Sequence, residues 1–569
     1  MKKHRFLFFF LCLSLFLTAC AAAGDAPTEP PSSGTTAAPE TVPAVSSLPA
    51  AVGDTSLSFS GSGITVSGDG VEISGNQAII SRSGTYLLSG SLSDGQVIVD
   101  AKGETVILLL SGLELSCSTG APIWIQSAET VTITTGAGTS STLSNGGSFE
   151  NSGDSNVDGV IFSKADLIFD GSGSLTVSSP AGHGIVGKDT VTFLSGTYSV
   201  VSQEHGISAK DSLAIIGGDF TLQTGKDGLH GENRDDISLG SITVSGGSFR
   251  IQSQGDGVSA STALCVSGGD FTITAGGGSG SRTAATSSTK GIKAADVTIT
   301  QGVFHIDSAD DAIHGGNVTI DGGSFTLSTG DDGIHADETL SLSDGQIQIL
   351  TSYEGLEGQT IHISGGYVAL KSSDDGINAA GGADGSGFGG FFGGDRFGGG
   401  SASLTISGGT LFVNAGGDGL DANGTLTVSG GQVYISGPTN PGNGALDYDA
   451  GGTVTGGTIL AAGSAGMSQN FSQTENQGSI LVSTGAQNAG TEIAIRDGSG
   501  NVLAQMTAEK SYDCVVISCP GITVGGTYTV TAGTFETQIT MTSTIYGGGM
   551  GGPGGMGGPG GGKGGFGRP

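Results

Sequence analysis

ADVTITQGVFHIDSADDAIHG, from Ala295, is followed at once by GNVTIDGGSFTLSTGDDGIHA, from Gly316, and then by ETLSLSDGQIQILTSYEGLEG, from Glu338. All three segments carry an aliphatic doublet, a glycine corner, an apolar-x-aliphatic triplet and an acidic corner that leads into another aliphatic. The acidic position at Asp311 recurs at Asp332, Glu354 and Asp375, after 21, 22 and 21 residues. A fixed period of this size marks a solenoid, in which equal positions of successive repeats stack on one another.

Two strands are readable in each repeat. The doublets Val297/Ile299, Val318/Ile320, Leu340/Leu342, Ile361/Ile363, Leu404/Ile406 and Leu426/Val428 alternate with polar residues, so the aliphatics share one face of a strand. A second strand carries Phe220/Leu222, Phe249/Ile251, Phe271/Ile273, Phe304/Ile306 and Phe325/Leu327, continued by Ile347/Ile349 and Val368/Leu370. Glycine pairs such as Gly322-Gly323 and Gly408-Gly409 lie between the two strands, where a tight corner favours positive φ. Three short sides in about 21–22 residues predict an all-β fold, a parallel β-helix. The chirality of crossover connections favours a right-handed wind. Residues 54–180 read as the same architecture with looser spacing. Residues 479–546 read as antiparallel strands forming a small C-terminal cap on a 54–478 β-helix.

Composition agrees with this reading. Of 569 residues, 109 are Gly and only 13% are charged, which disfavours long helices. The net charge of −32 argues against a nucleic-acid partner, which needs a basic footprint. Lys2, Lys3 and Arg5 precede the apolar run 6–17, which ends in Leu17-Thr18-Ala19-Cys20. The run is too short for a bilayer span and suits an export signal. Its end resembles the bacterial lipobox, which implies cleavage after residue 19 and lipidation of Cys20. Residues 20–53, rich in Pro, Thr, Ala and Ser, read as a tether. Together these predict a bacterial lipoprotein on the outer face of the cytoplasmic membrane, expected as a monomer. A Gly/Phe-rich insert at 380–402 reads either as an aromatic sugar-stacking loop, through Phe388, Phe391, Phe392 and Phe397, or as a spacer. The 547–569 tail is almost entirely Gly, Met and Pro and reads as disordered. Cys117 and Cys265 are expected to be buried. Cys514 and Cys519, if on one strand, would be about 16 Å apart and unable to bridge.

The acidic corner carries the candidate chemistry. Asp227, Asp256, Asp311, Asp332, Glu354, Asp375 and Asp418 form a column that Lys290 interrupts, and Asp310, Asp331 and Asp374 precede three of its members. Three residues further on stand His230, Lys293, His314, His335, Glu357, Asn378 and Asp421. Strand spacing of about 4.8 Å would crowd these carboxylates, so they must fan into water or be bridged by cations. Calcium, a hard cation that takes many oxygens, is the expected ion. Its candidate ligands are Asp310, Asp311, Asp331, Asp332, Glu354, Glu357, Asp374, Asp375, Asp418 and Asp421. Asp-Gly is also ordinary turn chemistry, so part of the column needs no ligand. His314 and His335 are expected as surface ladder or ligand-contact residues.

The lipobox, the tether, the SGG-x-F-x-I…DDGI-x-A repeat, the Gly/Phe insert and the segment SYDCVVISCPGITVGGTYTV together resemble a bacterial carbohydrate-binding β-helix family of the clostridial cellulose- and pectin-binding type, whose fold is similar to that of pectate lyases. The resemblance spans roughly residues 54–546. It implies a right-handed parallel β-helix, bound Ca2+ and binding of plant cell-wall polysaccharides, acidic ones included, while the lipid anchor, the tether and the long repetitive face favour a binding protein over an enzyme. Two alternatives stay open. One is a calcium-dependent polysaccharide lyase with Lys293, Lys290 or Lys371 as base, and the other is a protein-binding adhesin.

Overall fold

The computed structural model describes residues 54–150, 156–281, 288–380 and 401–548. The expected signal peptide, Cys20 and the tether lie outside the described residues. So do the four insert phenylalanines and all but the first two residues of the tail. The described residues form strands, turns and bends, with no α-helix among them.

Most of the strands belong to one large, mainly parallel sheet system arranged in three columns. The doublet strands make the first column, with Thr190–Phe193, Ser212–Ile215, Ser241–Val244 and Ala263–Val266 pairing in succession. The second runs Thr197–Ser202, Asp219–Thr224, Ser248–Ser253, Asp270–Ala275 and Val303–Ser308. Short strands after the acidic corner, Ile207–Ala209, Leu229–Gly231 and Val258–Ala260, make the third. In the middle of the molecule the columns merge into long bent strands, Ile313–Thr329 and Ile334–Thr351, which pair in parallel over all three sides.

The register places like on like. Phe220, Phe249, Phe271, Phe304 and Phe325 pair in sequence, with ring centroids 4.4–5.0 Å apart and planes within 7° of parallel. All five are at most 2% exposed and belong to one core cluster running from Leu57 to Val516. Each buried ring contributes its apolar area and a stacking term of about 0.5–1.5 kcal/mol.

Two kinds of glycine turn the chain for different reasons. Gly431 has φ 79°, and a Cβ there would lie 2.6 Å from the Gly408 carbonyl oxygen. Gly333, after the acidic corner, is absent from the positive-φ residues, but its Cβ would meet the Gly355 carbonyl at 2.5 Å. Close approach of stacked backbones, rather than turn conformation, selects glycine there. Ala312 fills the equivalent place in one repeat.

At the C-terminal end, Tyr512–Ser518 pairs antiparallel with both Thr458–Gly463 and Ser479–Gln487. A four-stranded antiparallel sheet of Glu492–Arg496, Val502–Thr507, Thr527–Ala532 and Phe535–Thr540 follows. Its core includes Leu460 and Ala462 from the strand Thr458–Gly463. Cys514 belongs to the main core and Cys519 to this second one, and both are free thiols. The expectation of buried packing fails for Cys265, which is exposed, and for Cys117, which is half-buried. Cys265 alternates outward between inward Leu264 and Val266.

Candidate functional site

The third column positions the acidic corner. Its inward residues, Leu229, Val258, Ile292, Ile313, Ile334, Leu356, Ile377 and Leu420, are buried in the core. The opposite face then aligns Ser208, His230, Ser259, Lys293, His314, His335, Glu357, Asn378 and Asp421 in register. Toward the N-terminus the same face carries Trp124, Phe162 and Val186, so an apolar stripe gives way to a polar one.

The corner carboxylates do not simply fan into water. Asp227, Asp256, Asp311, Asp332, Asp375 and Asp418 each take a backbone N–H from the next repeat. The N–H of Asp256 donates to Asp227 Oδ1 (2.9 Å), that of Lys290 to Asp256 Oδ1 (2.8 Å) and that of Asp332 to Asp311 Oδ1 (3.1 Å). Glu354 N–H donates to Asp332 Oδ1 (3.0 Å) and Asp418 N–H to Asp375 Oδ1 (2.5 Å). His183 and His205 occupy the same register position. Their Nδ1 atoms accept from the N–H groups of His205 and Asp227 (both 3.1 Å). The column is thus first a device for satisfying corner amides that no strand ladder reaches. The signal for His183 and His205 lay in the sequence, since each precedes a glycine in phase with the Asp-Gly corners.

The second carboxylate oxygen is where repeats differ. Around Asp310 and Asp311, which are 3% and 0% exposed, the Lys290 ammonium lies 3.0 and 2.6 Å away. Lys290 is itself 2% exposed, so it acts as an internal cation and cannot be a surface base. His314 Nδ1 also meets Asp311 Oδ2 at 2.8 Å. Burial pushes the Asp311 carboxyl up, but the His314 hydrogen bond and the Lys290, His335 and His314 charges outweigh it and hold it below the usual range. Asp331, half-buried, joins Asp310 and Asp311 with oxygens within 4.8 Å of one another.

One repeat on, His335 Nδ1 lies 3.2 Å from Asp332 Oδ2 and 2.7 Å from Glu357 Oε2. Burial opposes charge on His335, but hydrogen bonds to Asp332 and Glu357 prevail and push it up to about 11. Burial raises Glu357, but the hydrogen bond and charge of His335 outweigh it and hold it down. Asp332 is driven well up by burial, and the charges of Asp311 and Glu357 add to that. Glu354, bonded by the Asn378 side-chain amide at 2.9 Å, is likewise raised by burial and by Asp332. His314 and His335 are buried Asp-paired groups, not the surface residues expected.

A third group brings Asp375, Asp418 and Asp421 together, again with oxygens within 4.8 Å. It contains carboxylates only, and the half-buried Asp374 is adjacent in sequence. A Cβ on Gly417 would strike Asp375 Oδ1 at 2.2 Å and Asp374 Oδ1 at 2.4 Å, so both carboxylates converge on that backbone. Hard oxygen donors at this density fit a calcium ion. The other two groups fit less well, because Lys290 and His335 already supply positive charge. Of the ten residues expected as ligands, the structure gathers Asp310, Asp311 and Asp331, then Asp332 and Glu357, then Asp375, Asp418 and Asp421. Glu354 and Asp374 fall outside these three sets.

Residues 74–333 match the family model described as carbohydrate-binding domain-containing protein. A carbohydrate-binding domain-containing protein of Acetivibrio thermocellus is 32% identical over 124 residues, which is 21% of this chain and 43% of that relative. The match therefore spans less than half the length of that relative. Among solved structures, a polysaccharide lyase-like protein from C. thermocellum, determined as a gadolinium derivative, aligns with TM-score 0.38 and 24% identity, covering 44% of this chain and 96% of that one. The resemblance to the carbohydrate-binding family that the repeat suggests is thus present in the chain over residues 74–333.

Proposed function

We propose that the protein is a polysaccharide-binding lipoprotein, tethered by Cys20 to the outer face of a bacterial membrane and displaying a right-handed parallel β-helix. Its partner is an acidic plant cell-wall polysaccharide, held by calcium on the acidic edge, and it performs no catalysis. The convergence of Asp375, Asp418 and Asp421 carries this reading. An ion there would supply positive charge to a chain of net charge −32 that otherwise repels a polyuronate. The family match over residues 74–333 supports carbohydrate as the ligand class.

Within the edge, the chain's own groups have divided tasks. Lys290 and His335 neutralise the buried carboxylates of their repeats. Asp331 and Asp374, both half-buried, lie nearer to solvent than Asp311 and Asp332. Burial of Lys290 removes one of three lysines open to a lyase reading. Lys293 and Lys371 remain candidate bases for that activity, and the Lys293 ammonium lies 3.3 Å from Ser288 Oγ.

The test is retention of the full chain on immobilised polygalacturonate, cellulose and a neutral glucan, with calcium and with chelator. Retention on polygalacturonate, strengthened by calcium, is expected, together with no unsaturated product absorbing in the ultraviolet. No retention on any polysaccharide in either condition would overturn the proposal, and unsaturated product would replace it with a lyase.

A further inference from the structure

The outer face of the second column is polar through the middle of the molecule, with Thr221, Arg250, Thr272, His305, Thr326 and Gln348 at equivalent places. Near the C-terminal end it changes. Tyr367 and Phe412 are 44% and 37% exposed, and half-buried Tyr434 stands beside Phe412 in register. Phe412 and Tyr434 have centroids 5.1 Å apart and planes 18° from parallel, and Tyr367 leans on Phe412 at 5.7 Å and 47°. Phe412 and Tyr434 border a groove of about 410 Å³ between this face and the C-terminal sheet, lined also by Gln432, Gln505, Met506 and Glu509. A volume of this order holds a small ligand.

The charged residue lining the groove is Glu509, and two lysines flank it. Lys371 is exposed, and its register partner Asn414 donates to Glu509 Oε2 at 2.5 Å. Glu509 is thereby engaged from within the protein. The next residue, Lys510, donates to the Ala415 carbonyl. Burial lowers the Lys510 pKa, and the charge of Lys371 lowers it further, so the two ammonium groups feel one another. Two cations beside one engaged carboxylate make a locally positive spot on a strongly acidic chain.

We propose that this groove is a second, calcium-independent sugar subsite that takes uronate residues of an acidic polysaccharide. The rings of Phe412 and Tyr434 cover the apolar face of a pyranose. The exposed amides of Gln432 and Gln505 pair its hydroxyls, and Lys371 and Lys510 attract its carboxylate. The inference rests on the polysaccharide reading above but uses a different face of the molecule, outside residues 74–333.

The experiment is calorimetric titration of oligogalacturonate into the full chain in excess chelator. The wild type is expected to bind. Phe412→Ala is expected to weaken binding about tenfold, with Phe412→Tyr retaining it. Lys371→Glu is expected to weaken binding at least about threefold. Unchanged thermal midpoints would show that these exposed substitutions leave the fold intact. Wild-type affinity in both Phe412→Ala and Lys371→Glu would overturn the subsite, as would binding seen only with calcium. Absence of binding to any polysaccharide, with or without calcium, would overturn the wider proposal instead.

Discussion

Asp332 accepts the N–H of Glu354 through one oxygen and faces His335 through the other. Asparagine can keep the first contact through its carbonyl oxygen, whereas alanine orphans a corner amide. Asp332→Ala is therefore expected to cost about 1–3 kcal/mol in denaturant unfolding, with Asp332→Asn costing clearly less. Equal costs would show that the charge, not the acceptor, matters at this corner. His335 gives a pH signature. It is held at about 11 in the fold against an ordinary value near 6.5. A group raised in this way adds stability that is complete below about pH 6.5 and is lost as pH climbs toward 11. The stability gap between wild type and His335→Gln, measured in chelator, should be widest near pH 6 and close steadily through pH 10. A gap that does not vary with pH would contradict the charged His335–Glu357 pair.

At the scale of elements, the period and the inward ladders were readable because a two-residue alternation and a repeat near 21 residues leave little freedom in pairing. Phe271 stacks between Phe249 and Phe304 as its place in the repeat requires. Phe271→Ala should cost about 3–5 kcal/mol, since rigid neighbours on both sides prevent collapse of the cavity. A loss under 1 kcal/mol, read from denaturant unfolding, would mean that the ladder relaxes. The corner was less readable. The sequence shows that carboxylates crowd, but not that corner aspartates such as Asp311 would satisfy the next repeat's N–H, nor that Lys290 would turn inward to neutralise two of them. Those outcomes depend on side-chain direction at a bend, which the repeat does not encode. The exposure of Cys265 has the opposite origin, since it follows directly from alternation with Leu264 and Val266.

At the scale of the whole molecule, three columns divide the work. One builds the first wall of the core, one stacks the phenylalanines, and the third gathers the carboxylates along an edge. The acidic edge and the aromatic groove lie on different columns, so a long polymer could engage both and gain from linked binding. The central claim is that the edge holds calcium and that calcium strengthens the grip on acidic polysaccharide. Asp418→Asn tests it most directly, because the amide oxygen can still accept the Gly444 N–H while a negative charge leaves the Asp375–Asp418–Asp421 group. The measurement is a calorimetric calcium titration of wild type and this variant, followed by polygalacturonate retention at saturating calcium. The account predicts calcium binding by the wild type, weakened about tenfold or more in the variant, with retention falling in step. Absence of calcium binding by the wild type, or identical titrations for the two proteins, would contradict it.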